Sequence, residues 1–526
     1  DRSGDFTVAR GSNLAATRIG EDGYIKKGYE NLLLQSNSFT TSPWTNFLIN
    51  PPTSNQAGYD GTNNAWLIEC ISTSNFNGVR QTISTIGVTT LSVYAKAGTT
   101  NFLGFFSSAG FGAFELTGAG TTGQLYGNAI DSKIELISNG WYRCSIVLNG
   151  NASAVIIGAR RTINSFNADI GDSIYIQDAQ LNQGLVAYPY LETTTAPAQG
   201  GLLENTPRVD WSNGVPAVQL EEQRTNILPY SEYFDGFTYN TEDTTLVANN
   251  EISPEGLQNA YKITADAVFN YHRIRQAHLN ISTSIGNSYT ISIFAKSNGH
   301  DFILFRVSQI GAANRNVSFN ISTGAVDFKS SVFDNTSVED YGNGWYRCGA
   351  TFTSDDPTME WYLRSQPTTQ IGIDDGIDRY TGDGVNGAYI YGAQFEDGYP
   401  TSYIPTYVTS QTRSNEVISD NFNIPTTATI YNSFYSDTAE TVFVLDQVFN
   451  VAEGLNKVAI AFSPTAVKIS VGGSIVANAT GTYDTTALSN IQLGSNNGTD
   501  YSNAPISGFY VFPEFLTDEE LNSLTD

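Results

Sequence analysis

The sequence predicts an all-β protein: tandem antiparallel β-sandwich domains of jelly-roll type, a smaller C-terminal sandwich and a short terminal helix. Three observations carry that expectation. The 526 residues include 29 Tyr, 29 Phe and 48 Gly, and aromatic residues mixed with Gly, Thr, Ser and Asn favour pleated strands joined by turns. Several strings recur in the same order in two halves of the chain. Each copy is far longer than the roughly 20 to 50 residues of a solenoid repeat, so the copies are domains. Within a copy, strand signals come at short spacing between Gly, Asn, Asp and Ser clusters, the pattern of a sandwich or jelly roll.

Residues 1–30 read as an N-terminal connector and 31–195 as the first sandwich. Its opening string Asn31-Leu32-Leu33-Leu34-Gln35-Ser36 returns as Asn226-Ile227-Leu228-Pro229-Tyr230-Ser231. Leu91-Ser92-Val93-Tyr94-Ala95-Lys96 returns as Ile291-Ser292-Ile293-Phe294-Ala295-Lys296. Here Leu91, Val93 and Ala95 are expected to face inward and Ser92, Tyr94 and Lys96 toward water, since successive strand residues point to opposite faces. Asn139-Gly140-Trp141-Tyr142-Arg143-Cys144 becomes Asn343-Gly344-Trp345-Tyr346-Arg347-Cys348. Asn-Gly tolerates the positive φ of a type I′ hairpin turn, after which the Trp enters a strand. The last pair is Ile174-Tyr175-Ile176-Gln177-Asp178-Ala179-Gln180-Leu181 and Ala388-Tyr389-Ile390-Tyr391-Gly392-Ala393-Gln394-Phe395.

Residues 196–225 form an ordered linker, because the stretch carries Trp211 and several apolar residues instead of Gly/Ser composition. The second sandwich spans 226–410. From 411 to 526 a third unit lacks Trp and Cys, and its strands center on Thr441–Leu445, Lys457–Phe462 and Ala466–Val471, with a Gly472-Gly473 hairpin turn. Leu516-Thr517-Asp518-Glu519-Glu520-Leu521 has the signature of a capped helix, with Thr517 and Glu520 as a capping box and Leu516 and Leu521 as the staple.

Acidic residues number 52 against 26 basic, a formal charge of -26. That potential repels phosphate backbones and anionic lipid heads, so neither nucleic acid nor membrane insertion is expected. No stretch approaches the roughly 20 apolar residues needed to cross a bilayer.

Phe6-Thr7-Val8-Ala9-Arg10-Gly11-Ser12 with Ala16-Thr17-Arg18 and Asp22-Gly23 resembles the opening of a family of tailed-phage structural proteins of marine phage type. Glu222-Gln223-Arg224-Thr225-Asn226 leading to Tyr230-Ser231-Glu232 is similar to the same family. So are Tyr380-Thr381-Gly382-Asp383-Gly384 before the Tyr391-Gly392-Ala393-Gln394 strand, and Pro400-Thr401-Ser402-Tyr403-Ile404-Pro405-Thr406. The resemblance implies carbohydrate-binding-module-like jelly rolls and a concanavalin-like, lectin-like closing sandwich. It also implies a place on the virion surface, as a tail appendage, fibre or capsid decoration. Partners would be other virion proteins and host surface polysaccharide, with a homo-oligomer expected because repeated weak sites gain avidity. Copy one departs from the pattern: it ends Tyr188-Pro189-Tyr190-Leu191-Glu192, without the Ser-Tyr-Ile-Pro form.

Tests for chemistry point to a protein that is not an enzyme. His272, His278 and His300 are its only histidines, all in the second copy, and a structural or surface role is the better reading for them. Gly382-Asp383-Gly384-Val385-Asn386-Gly387 matches G-x-G-x-x-G, but a strand follows it where a dinucleotide site needs a helix. No cofactor is expected. Asp374, Asp375, Asp378 and Asp383 make an oxygen-rich loop that could hold structural calcium, with a solvated acidic loop the preferred reading. Cys70, Cys144 and Cys348 show neither metal nor disulfide spacing. Trp361 and Tyr362 lack an aromatic counterpart in copy one, where Ile156 and Ile157 stand, so they are the chosen glycan-stacking pair. A polysaccharide-degrading tail spike and a secreted bacterial adhesin are the alternatives.

Overall fold

Backbone dihedrals bear out the turn chemistry. Asn139 and Gly140 take φ of 50° and 76°, Asn343 and Gly344 take 54° and 78°, and Gly472 and Gly473 take 53° and 76°. These left-handed values are what a type I′ hairpin requires. The computed structural model describes residues 7–11, 14–73, 75–235, 239–276, 281–308, 316–368, 379–420, 424–436, 440–485, 491–493 and 505–526. Among them the chain is all-β, with antiparallel sheets and one helix, Asp518–Thr525.

The first sandwich stacks two sheets. One runs Thr121–Thr122, Gly110–Glu115, Phe102–Ser107, Ala152–Arg160, Gly78–Thr85, Trp44–Phe47. The other runs Ala129–Ser138, Trp141–Asn149, Val88–Ala97, Ser173–Gln183, Ala65–Glu69, Thr53–Gln56. The second sandwich repeats both orders strand for strand. Its sheets run Ala325–Lys329, Asn316–Asn320, Phe302–Ser308, Thr358–Gln366, Arg273–Gln276, Tyr239–Glu242 and Phe333–Asp340, Tyr346–Thr353, Ser288–Asn298, Gly387–Asp397, Ala260–Ala265, Thr244–Glu251. Register repeats as well: Cys144 pairs with Val93 and Cys348 with Ile293. All three cysteines are buried and unpaired.

Leu91, Val93 and Ala95 enter the core as expected. Ser92 does not face water, being 1% exposed, and Thr90 is fully buried. The reason is that the outer face of this sheet is covered by chain entering and leaving the domain. Asn31 Nδ2 donates to the carbonyls of Ala179 and Leu191, and Asn226 Nδ2 donates to those of Ala393 and Ile404. Tyr190 is within 2.6 Å of Ser36 Oγ, as Tyr403 is within 2.7 Å of Ser231 Oγ. The missing Ser-Tyr-Ile-Pro form in copy one therefore changes the letters and keeps the clamp.

The connectors are sheet-forming. Ala198–Gly201 pairs with Ile25–Asn31, which also forms a hairpin with Thr17–Ile19. Thr7–Ala9 pairs with Val417–Asp420. The linker strands Val209–Asp210 and Ala217–Val218 join the C-terminal sheet, followed by Ile506–Phe512, Ala428–Ser436, Gly454–Ser463, Ala466–Val471 and Ser474–Thr480. Behind the connectors lies a buried ion network. Glu416 accepts from Arg10 and Arg208, and Glu221 accepts from Arg208 and, at 3.1 Å, from Arg413. Burial pushes the Glu221 carboxyl up, but Arg413 and Arg208 outweigh it and hold it well below the usual carboxylate range. The helix has the expected capping box, with the Thr517 side chain accepting from the Glu520 N–H and Glu520 accepting from the Thr517 N–H. Leu516 and Leu521 pack together beneath it.

Candidate functional site

A cleft of about 400 Å³ opens where the N-terminal hairpin, the linker hairpin, the second sandwich and the C-terminal unit meet. One side-chain and one backbone hydrogen bond join the two hairpins that line it. Arg18 donates to the Val209 carbonyl at 2.6 Å, and the Trp211 N–H donates to the Ile19 carbonyl at 3.1 Å. Asp210 spends both oxygens on backbone, accepting from the N–H groups of Ile19 and Ser212 at 2.6 and 2.8 Å.

The second sandwich supplies one wall. Arg347, 3% exposed, donates to the Thr401 carbonyl at 2.7 Å and lies 5.5 Å from the Phe294 ring center. Burial lowers its pKa and Glu339 and Tyr341 raise it, with a net upward shift that keeps the guanidinium charged. Tyr341 donates to Glu339 at 3.4 Å, and burial followed by Glu339 pushes its phenol up. Tyr399 is 41% exposed, hydrogen-bonded to Glu222, with the Arg224 guanidinium 4.5 Å over its ring. Tyr435 and Pro505 of the C-terminal unit close the rim, joined by the Tyr435 N–H to Pro505 carbonyl bond. The cleft is thus lined by tyrosines beside fixed donors and acceptors.

The residues singled out from sequence lie elsewhere. Trp361 is 1% exposed in the core of the second sandwich, edge-on to Tyr239. It cannot be half of an exposed stacking pair, because the strand alternation that turns Tyr362 outward turns Trp361 inward. Tyr362 is half-buried, bonded to Glu360, with Arg273 4.9 Å over its ring. By register against the Phe302–Ser308 and Phe102–Ser107 strands, Trp361 stands where Val155 does.

Of the calcium candidates, Asp374, Asp375 and Asp378 lie outside the described residues. Asp383 caps a turn, accepting from the N–H groups of Val385 and Asn386. Among the described residues no cluster of His, Cys, Asp or Glu has metal-site geometry. His272 and His300 are buried beside Tyr380, and His300 Nδ1 is 3.0 Å from Ser365 Oγ. His278 lies outside the described residues.

Sequence reading missed Tyr341, Tyr399 and Tyr435 because the cleft draws on four separate stretches of chain. The one local signal was the linker, whose Pro207-Arg208-Val209-Asp210 and Trp211 marked it as ordered. No protein-family model matches the chain, and no curated protein shows significant similarity to it.

Proposed function

We propose that this protein is a non-enzymatic virion surface protein, a tail appendage or capsid decoration, that binds host surface glycans. The observation that carries the binding role is the inter-domain cleft, with Tyr341, Tyr399 and Tyr435 around fixed polar groups. Pyranose rings stack on tyrosine through their apolar faces while their hydroxyls take hydrogen bonds. The virion setting rests on the resemblance of four strings to tailed-phage structural proteins, and the closing sheet unit fits the lectin-like sandwich that resemblance implies.

Binding is favoured over hydrolysis by how the carboxylates are employed. Glycoside hydrolysis needs two carboxyl groups free for proton transfer and nucleophilic or base work. Asp210 is committed to backbone N–H groups and Glu221 to two arginines and Ser402. Of the three acidic residues that line the cleft this leaves Glu339, which accepts from Tyr341.

Affinity electrophoresis through gels containing purified bacterial surface polysaccharide tests the reading, with reducing ends assayed in parallel. Retardation without new reducing ends is expected. Tyr399→Ala combined with Tyr435→Ala should reduce the apparent affinity about 5- to 150-fold, the stacking of two rings being worth about 0.5–1.5 kcal/mol each. Shortening of the polymer would replace this reading with a depolymerising tail spike, and an unchanged mobility of the double variant would move the site out of the cleft.

A further inference from the structure

The N-terminal hairpin carries two adjacent lysines, and strand alternation sends them to opposite sides. Lys26 stands in water beside Asp22, whereas Lys27 is enclosed against the second sandwich with its side chain 1% exposed. The Lys27 ammonium is 2.7 Å from Glu232 and 3.1 Å from Glu255, with the ring centers of Tyr188 and Tyr407 each 5.5 Å away. The Tyr391 hydroxyl is 3.0 Å from both carboxylates. Two carboxyl groups thus face one ammonium, an excess of negative charge that burial makes costly. Burial pushes the Glu232 carboxyl up, and against the pull of Lys27 the nearness of Glu255 leaves it raised.

The Glu255 oxygen that meets the ammonium also accepts from the Asn259 side-chain amide at 2.9 Å. Asn259 is 1% exposed, and its Oδ1 is buried without a hydrogen-bond partner. A buried amide oxygen left bare costs about 1–3 kcal/mol. A half-turn about the Cβ–Cγ bond exchanges the two ends of the amide and puts that oxygen on Glu255, where a protonated Glu255 donates to it. By register the matching residue of the first sandwich is Asn64, which is exposed. The enclosed asparagine therefore belongs to the copy that receives Lys27.

We propose that Lys27 and Asn259 are joined by an intramolecular isopeptide bond, formed by the folded chain itself with Glu232 and Glu255 as proton carriers. The Lys27 ammonium gives one proton to Glu232, and the freed Nζ attacks Asn259 Cγ while protonated Glu255 donates to the carbonyl oxygen. The Nζ–Cγ bond forms, and the surplus proton on Nζ passes by way of Glu255 to the Asn259 nitrogen. The Cγ–Nδ2 bond then breaks, and ammonia leaves with the proton held by Glu232. Overall an alkylammonium and a primary amide become a secondary amide and ammonium, with no oxidant or cofactor.

The arrangement supplies what this step requires. Amine and amide rest on one carboxylate oxygen, so no more than the sum of those two contacts separates them, and folding replaces a random encounter. Carboxyl groups able to take and give protons stand in contact with both reactants. Tyr188, Tyr391 and Tyr407 are buried around them, which keeps out the water that would compete with the amine. Burial lowers the Lys27 pKa, but Glu232 and Glu255 outweigh it and the lysine rests charged. A bond made once in the life of a chain needs the free amine only briefly, and Glu232 is in place to receive its proton. The product holds the N-terminal hairpin on the second sandwich covalently, where ion pairs alone would let it come away.

The test is the intact mass of the full chain, followed by proteolysis and tandem mass spectrometry. The expected mass is one ammonia below that of the sequence, with a branched peptide joining the segment around Lys27 to the one around Asn259. Asn259→Ala and Glu255→Gln, each checked for its fold by circular dichroism, should keep their full sequence mass. The parent chain decides by itself if either variant fails to fold. A parent of full sequence mass would overturn the proposal, as would a loss of ammonia that persists in Asn259→Ala. So would a loss that maps to an Asn-Gly pair such as Asn139-Gly140, where a backbone succinimide gives the same mass.

Discussion

Asp178 shows how one side chain can carry a pH signature. It holds a left-handed φ of 55° and is 7% exposed. Burial first, with Asp60 and Glu192 adding, pushes its carboxyl up to about 6. A carboxyl raised above its unfolded value favours the folded state while protonated, fully so below about pH 4. That contribution is lost as pH rises through 6, up to about 3 kcal/mol for a shift of about two units. Asn tolerates the same backbone conformation and still accepts from Tyr59. Asp178→Asn is therefore expected to be more stable than the parent above pH 6, by about 1 to 3 kcal/mol, with the difference vanishing below pH 4. Urea midpoints across pH check this. At Trp361 the expectation is of another kind: Trp361→Ala should destabilise by about 3–5 kcal/mol by leaving a cavity without touching the cleft between the units. Binding to surface polysaccharide measured on the folded fraction should be unchanged.

At the scale of single elements the hairpins are the test case. Gly140 follows Asn139 in a turn needing two positive φ values, and a Cβ there would meet no backbone atom closer than the Lys96 side chain at 3.8 Å. The cost of Gly140→Ala is thus conformational, not steric. It is expected to be about 1 kcal/mol, read as a lowered melting temperature with an unchanged circular dichroism spectrum. This turn was legible because its chemistry is local. The facing of the Val88–Ala97 strand was legible only by half: alternation put Leu91, Val93 and Ala95 in the core, but the burial of Ser92 depends on connectors from distant sequence. Trp361 failed for the same reason, since a repeat comparison locates a strand without saying which side of it faces the core.

Across the whole molecule, the connectors tie the units into one assembly. Arg208, at 0% side-chain exposure, bridges Glu221 and Glu416 and also donates to Thr17 and Ser402. It thereby joins the N-terminal hairpin, the linker, the second sandwich and the start of the C-terminal unit. Arg208→Met leaves two buried carboxylates short of a partner, which is expected to cost about 3 to 5 kcal/mol. Because the lost contacts lie between units, calorimetry should show the parent's melting transition split into separate steps, while an unsplit transition would place the coupling elsewhere.

The all-β class, the duplication, the turns and the terminal capping box could be read from the sequence alone. All of these are set by alternation, by glycine and asparagine dihedrals, or by strings of neighbouring residues. Tertiary structure decided what the connectors do, which aromatic residues reach the surface, and where a cleft forms. Tyr341, Tyr399 and Tyr435 meet only because two hairpins and two sheet units converge. The same convergence buries Lys27 between Glu232 and Glu255. Local pattern encodes direction and turn, whereas proximity between distant segments is fixed by the packing that buries them.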